Sequence, residues 1–192
     1  MSLQNRAVGA LVVCLTALQL AACQGGGARS VEVLDERTGV SVTSLQTPLE
    51  FVQSDSLVVG KQSSFAYLGP LEFNRMGQFG YYLWLHLAPG TGKALAQLAA
   101  GAPVSLVLDD GTLPLKTAVA PTLGRAPYQP VVSWGQTAYF ESSAADFKRL
   151  AASRTLILRC RAVDGSNVEF TAPAAAHTAL AAYLQARGIT AD

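Results

Sequence analysis

Residues 81–88 alternate without a break: Tyr81, Leu83, Leu85 and Leu87 fall on one side, and Tyr82, Trp84, His86 and Ala88 on the other. A period of two is the mark of a β-strand, so this segment predicts a strand whose leucine face turns toward a core. The chain from Val31 onward repeats the theme at lower contrast. Short apolar or β-branched runs at 31–34, 40–45, 49–52, 65–68, 71–73, 104–108, 113–117, 155–163 and 168–171 are separated by Gly39, Pro48, Gly69-Pro70 and two Asp-Gly pairs. Strands of this length, punctuated in this way, point to antiparallel pairing.

One unit occurs twice. Residues 95–100 read as a short helix leading into 104–108, after which Asp110-Gly111 turns the chain into 113–117. Residues 147–152 lead in the same manner into 155–163, with the turn at Asp164-Gly165 and the return at 168–171. Leu98 matches Leu150, and Asp-Gly between apolar strands is a strong hairpin signal. Duplication and two uses of one device both account for the pattern. Pro173 then opens a helix over 174–187, with Thr171 as its expected cap, Gly188 as its stop, and Leu180, Tyr183 and Leu184 as an apolar stripe. The expected architecture is mainly β, or α+β: an antiparallel β-sandwich-like domain with two short helices leading into hairpins and a C-terminal helix.

Ahead of this single domain (31–192) stands a different kind of sequence. Arg6 precedes an apolar run over 7–20, followed by Leu20-Ala21-Ala22-Cys23. About fourteen apolar residues is short for a membrane-spanning helix, which needs roughly 20. The four-residue motif resembles the lipobox of bacterial lipoproteins. The resemblance covers the first two dozen residues and implies a signal peptide over 1–22, cleavage after Ala22 and a diacylglycerol thioether on Cys23. Gln24 follows the cysteine in place of aspartate, which by the lipoprotein sorting pattern favours the outer membrane. Residues 24–30, Gly-rich and flexible, reach at most about 25 Å. The expectation is a periplasm-facing protein tethered close to its membrane through an N-terminal lipid.

Composition narrows the rest. Hydrophobic residues make up 50% of the 192 and charged residues 14%, where ordinary domains carry roughly 25% charged. Losing Arg6 with the leader leaves acidic and basic residues in balance. No basic run remains, so nucleic acid is not an expected partner. Of three cysteines, Cys14 leaves with the leader and Cys23 carries lipid. Cys160 is then alone, on a strand face with Leu156 and Leu158, and reads as a small buried hydrophobe without a disulfide partner.

The catalytic motifs in the chain are incomplete. Pro89-Gly90-Thr91-Gly92-Lys93 has the strand-to-helix setting of a phosphate loop, but Leu87 replaces its first glycine and Ala94 its metal-binding hydroxyl. It reads as a Gly-rich turn with Thr91 capping a helix. His86 and His177 lie on separate elements, so no metal site or cofactor is expected. A Ser/His/Asp triad lacks a G-x-S-x-G elbow. Asp109-Asp110 reads as a turn, not a carboxylate pair. What remains is aromatic. Tyr82, Trp84 and His86 share a strand face, and the loop over 118–137 brings Arg125, Tyr128 and Trp134 with Pro121, Pro127 and Pro130. These types are enriched in binding hot spots, and a loop so long is usually functional. The same face also suits a second packed layer. The expected function is a binding or accessory module contacting an envelope protein or a glycan; an envelope hydrolase or a purely structural lipoprotein are the alternatives.

Overall fold

A computed structural model describes residues 29–53, 63–90 and 94–189. The leader, Cys23, most of the Gly-rich segment and the expected cap Thr91 lie outside them. Among the described residues are ten strands: β1 (Ser30–Asp35), β2 (Val40–Leu45), β3 (Leu49–Gln53), β4 (Phe65–Arg75), β5 (Gln78–Ala88), β6 (Val104–Leu108), β7 (Gly111–Ala118), β8 (Gln136–Ser142), β9 (Ile157–Arg161) and β10 (Asn167–Thr171). Two α-helices accompany them, α1 (Ala144–Ala152) and α2 (Ala174–Ala186).

All ten strands belong to one sheet, ordered β1-β2-β4-β3-β10-β9-β6-β7-β8-β5, and β5 returns to pair with β4. The strands β3 to β10 therefore close into an eight-stranded antiparallel barrel, while β1 and β2 project from β4 as a flap. This corrects the sandwich expectation. The physical reason is the β4–β5 hairpin, whose strands run eleven residues each and pair along their whole length from Phe65↔Ala88 to Arg75↔Gln78. Residues 65–68 and 71–73 are one strand, not two. Its first part pairs with β3, ending at Leu68, and its second part with β2, beginning at Leu71. Gly69-Pro70 occupies the gap between these neighbours, where a missing N–H breaks no ladder bond. The hairpin turns on Met76 (φ 52) and Gly77 (φ 86), both left-handed as a two-residue I′ loop requires.

The leucine face of β5 points inward as its alternation predicts. Leu83, Leu85 and Leu87 meet Phe51, Leu68, Leu106, Phe140, Leu158 and Phe170, all at most 1% exposed. An eight-stranded barrel leaves room inside for side chains and little else. Cys160, 2% exposed, packs in this interior, and burial pushes its thiol up to about 12.

The repeated units differ in their helices. The first is a single 3₁₀ turn at Leu98–Ala100; the second is α1, whose start is fixed by a capping box between Ser143 and Asp146. Their hairpins lie side by side, with β6 against β9 and Leu106 directly opposite Leu158. Those two residues stand equally far beyond Leu98 and Leu150, so equivalent positions face each other as a local twofold requires. Asp164-Gly165 lies in the turn of the second hairpin as expected, while the first hairpin turns one residue earlier than expected. The β6–β7 loop is Asp109-Asp110, and only Gly111 and Gly165 take positive φ. Asp109 accepts from the amides of Arg154 (2.7 Å) and Thr155 (2.9 Å), and Asp110 binds Arg149 through both oxygens. The two carboxylates tie the first unit to the second.

The C-terminal helix forms, and Gly188 (φ 66) stops it. Its expected cap is wrong: Thr171 belongs to β10, and Pro173 stands at the N-cap without a side-chain bond. Leu180, Tyr183 and Leu184 dock on the barrel, and the Tyr183 hydroxyl donates to the Thr43 carbonyl at 3.2 Å. Just beyond the helix, Arg187 pairs with Glu72, whose side chain is 4% exposed.

Candidate functional site

The outer faces of β2, β4 and β5 carry a second, smaller core. Val40, Val42, Leu71, Phe73, Trp84 and Tyr128 form it, with Tyr67, Tyr82, Leu123 and Tyr139 packed at its margin. Its cover is the segment 119–135 between β7 and β8. Of the six residues expected to form an exposed contact surface, the structure buries three: Trp84 is 1% exposed, His86 0% and Tyr128 4%. Tyr82 is half-buried, edge-on to Phe73 with 5.2 Å between ring centroids. Only Arg125 and Trp134 are exposed. The aromatic platform is therefore overturned for Trp84, His86 and Tyr128, because the Pro-rich segment itself lies across them.

Three attachments hold that segment down. Near its start, the Gly124 amide donates to Asp35 Oδ2 at 2.9 Å. That bond, with one from the Thr38 hydroxyl, holds the Asp35 carboxyl below its ordinary range. In the middle, the Tyr128 ring lies on the bare Cα of Gly69, where a Cβ would come within 2.1 Å of the ring. Its hydroxyl donates to the Pro70 carbonyl at 3.3 Å, and burial raises its pKa far above the ordinary range. Toward the end, the Val132 amide donates to His86 Nε2 at 3.4 Å. Since Nε2 accepts, Nδ1 carries the proton and donates to Thr137 Oγ1 at 2.9 Å. Burial lowers the pKa of this neutral imidazole. Gly135 passes so close that a Cβ there would meet the His86 ring at 2.3 Å. Three glycines, Gly124, Gly69 and Gly135, thus mark the three contacts.

Beyond the Gly124–Asp35 bond, between the segment and the flap, a groove of about 610 Å³ opens. Val31, Val33, Val42 and Ser44 floor it, and residues 124–127 with Gln129 form its wall. Register explains the floor: Val31 pairs with Ser44 and Val33 with Val42, placing all four side chains on one face. Val31 and Val33 are 36% and 53% exposed, and Arg125 stands on the wall. Trp134, 71% exposed, is on the far side of the Tyr128 anchor and does not line the groove. The sequence supplies Arg125 and a strand over 31–34, but nothing in it places that strand at the groove, a position set by its pairing with β2 alone among the described residues.

Among the described residues, no three of His, Cys, Asp and Glu come together as a metal site would need. No helix among them is long and apolar enough to cross a membrane. Comparison with protein-family models, with curated proteins and with solved structures finds no match. The geometry of the groove therefore carries the functional reading.

Proposed function

We propose that this chain is a lipid-anchored binding or accessory module of the bacterial envelope, and that it engages an envelope protein or glycan in the groove between β1 and residues 124–129. The observation that supports this reading is the groove itself, in which Val31 and Val33 stay exposed beside the buried residues of the outer core. Exposed apolar surface with a polar rim is where partners dock. The anchor rests on Leu20-Ala21-Ala22-Cys23 and the short apolar run before it.

A hydrolase built on His86 would need that imidazole within reach of substrate. His86 is sealed, and both of its ring nitrogens are occupied by Thr137 and Val132. The binding reading is favoured on that ground. Its test is site-specific photo-crosslinking in cells that make the protein, with the reactive group in place of Gln129 on the groove wall. A discrete adduct with one envelope protein or with glycan is expected there and not with the group in place of Lys148 on α1. An equal, diffuse adduct pattern from both positions would end the reading.

A further inference from the structure

A closed barrel has no edge strands, yet this molecule has one. Among the described residues β1 pairs with β2 alone, and no strand lies on its other side. The direction of its main-chain groups follows from the register. The Gln46 amide donates to the Arg29 carbonyl at 2.8 Å, which makes Arg29 and Gln46 a hydrogen-bonded pair. Antiparallel pairs alternate between bonded and non-bonded, so Val31, Val33 and Asp35 bond to β2. The amides and carbonyls of Ser30, Glu32 and Leu34 then point outward, along the margin of the groove.

Side chains complete the picture. Val31 and Val33 stand two residues apart on the groove face, the spacing at which an adjoining strand places its own alternate side chains. The wall adds charge. Gly124 is bonded to Asp35, so its neighbour Arg125 stands at the Asp35 end of β1. Asp35 itself is committed to Gly124, Thr38 and Arg37. Arg125 meets no carboxylate among the described residues.

From these observations we infer that the groove takes an extended polypeptide segment of an envelope protein by strand addition to β1. The segment carries apolar side chains at alternate positions beside Val31 and Val33, and an acidic side chain at the end near Arg125. Main-chain bonds to Ser30, Glu32 and Leu34 supply affinity, while the valine pair and Arg125 supply selectivity. This rests on the groove-binding reading and specifies its partner. A glycan would leave the outward amides without the regular acceptors that a strand presents.

The experiment begins with a displayed library of random peptides, each about eight residues long, selected on the full-length protein in detergent micelles. Enriched peptides should alternate apolar and polar residues and contain Asp or Glu. The best of them is then synthesised in two forms, plain and N-methylated at alternate amides. Glu32→Pro removes one outward N–H and leaves the β1–β2 bonds intact, because edge strands tolerate proline on their open side. It should weaken the plain peptide at least about tenfold, the worth of one or two net hydrogen bonds. Glu32→Ala should bind normally, and Arg125→Glu should weaken binding. N-methylation should abolish it with no change to the protein, which guards against a misfolded flap. No enrichment, or unchanged affinity of the N-methylated peptide, overturns strand addition. If the Gln129 crosslink persists in that case, the groove-binding reading stands alone; if both are lost, both fall.

Discussion

Trp84 stacks on His86 with 5.8 Å between ring centroids, and Tyr128 tilts against it at 5.1 Å. A residue so enclosed is structural whatever its surface chemistry suggests. Trp84→Ala should cost about 3–5 kcal/mol, as large-to-small core changes do, read as a large fall in the denaturant midpoint. Gly69 gives a sharper test of the same layer. Any side chain there collides with the Tyr128 ring, so Gly69→Ala should lower the midpoint and raise the susceptibility of residues 119–135 to proteolysis. His86 adds a pH dependence. Its folded-state pKa is depressed by burial, so as pH falls the unfolded chain takes the proton first. Stability is then full above about 6.5 and declines below it until the folded protein's own imidazole titrates. Urea melts at descending pH should show this slope, and His86→Gln should flatten it.

At the scale of elements, α2 is held to the flap and to β4 by polar contacts at its C-terminal end. Arg187 pairs with the buried Glu72, and Tyr183 reaches Thr43. Arg187→Ala leaves the Glu72 carboxylate buried without its partner and should cost about 3–5 kcal/mol; adding Glu72→Leu should recover most of it. Denaturant melts of the single and double variants check this. The elements also show what sequence can and cannot carry. The 81–88 strand was legible because one side of it faces leucine and the other faces aromatic rings, and both sides proved to be packed. β8 was not read at all. Gln136–Ser142 alternates, with Phe140 inward, but it follows a Pro-rich loop and contains few β-branched residues. The tight turn at Met76-Gly77 was hidden because methionine is a poor residue for positive φ. Barrel closure rests on pairings such as Trp84↔Tyr139 and Val104↔Cys160, which join residues more than fifty apart. No local periodicity encodes those. The alternation of β5 leaves its aromatic face equally suited to a contact surface and to a second packed layer, and the structure makes it the latter, since Tyr128 contacts Trp84 inside the molecule.

For the whole molecule, the first matter is attachment. Mass spectrometry of membrane-extracted protein should find a mature chain beginning at an acylated Cys23, and Cys23→Ser should yield an unprocessed or released form. An unmodified cysteine would remove the anchor from the proposal. The second matter is what the open edge of β1 would mean for a protein anchored as proposed. Diffusion in two dimensions brings identical edges together often, and an exposed strand is an invitation to polymerise. β1 carries its own discouragement. For two copies to meet antiparallel with all three outward residues engaged, Ser30 must face Leu34 and Glu32 must face the Glu32 of its image. Like charges directly opposite one another repel, and sliding by two residues leaves one of the three without a mate. A single glutamate at the centre of a six-residue strand thus turns the edge away from its own kind and leaves it open to a stranger.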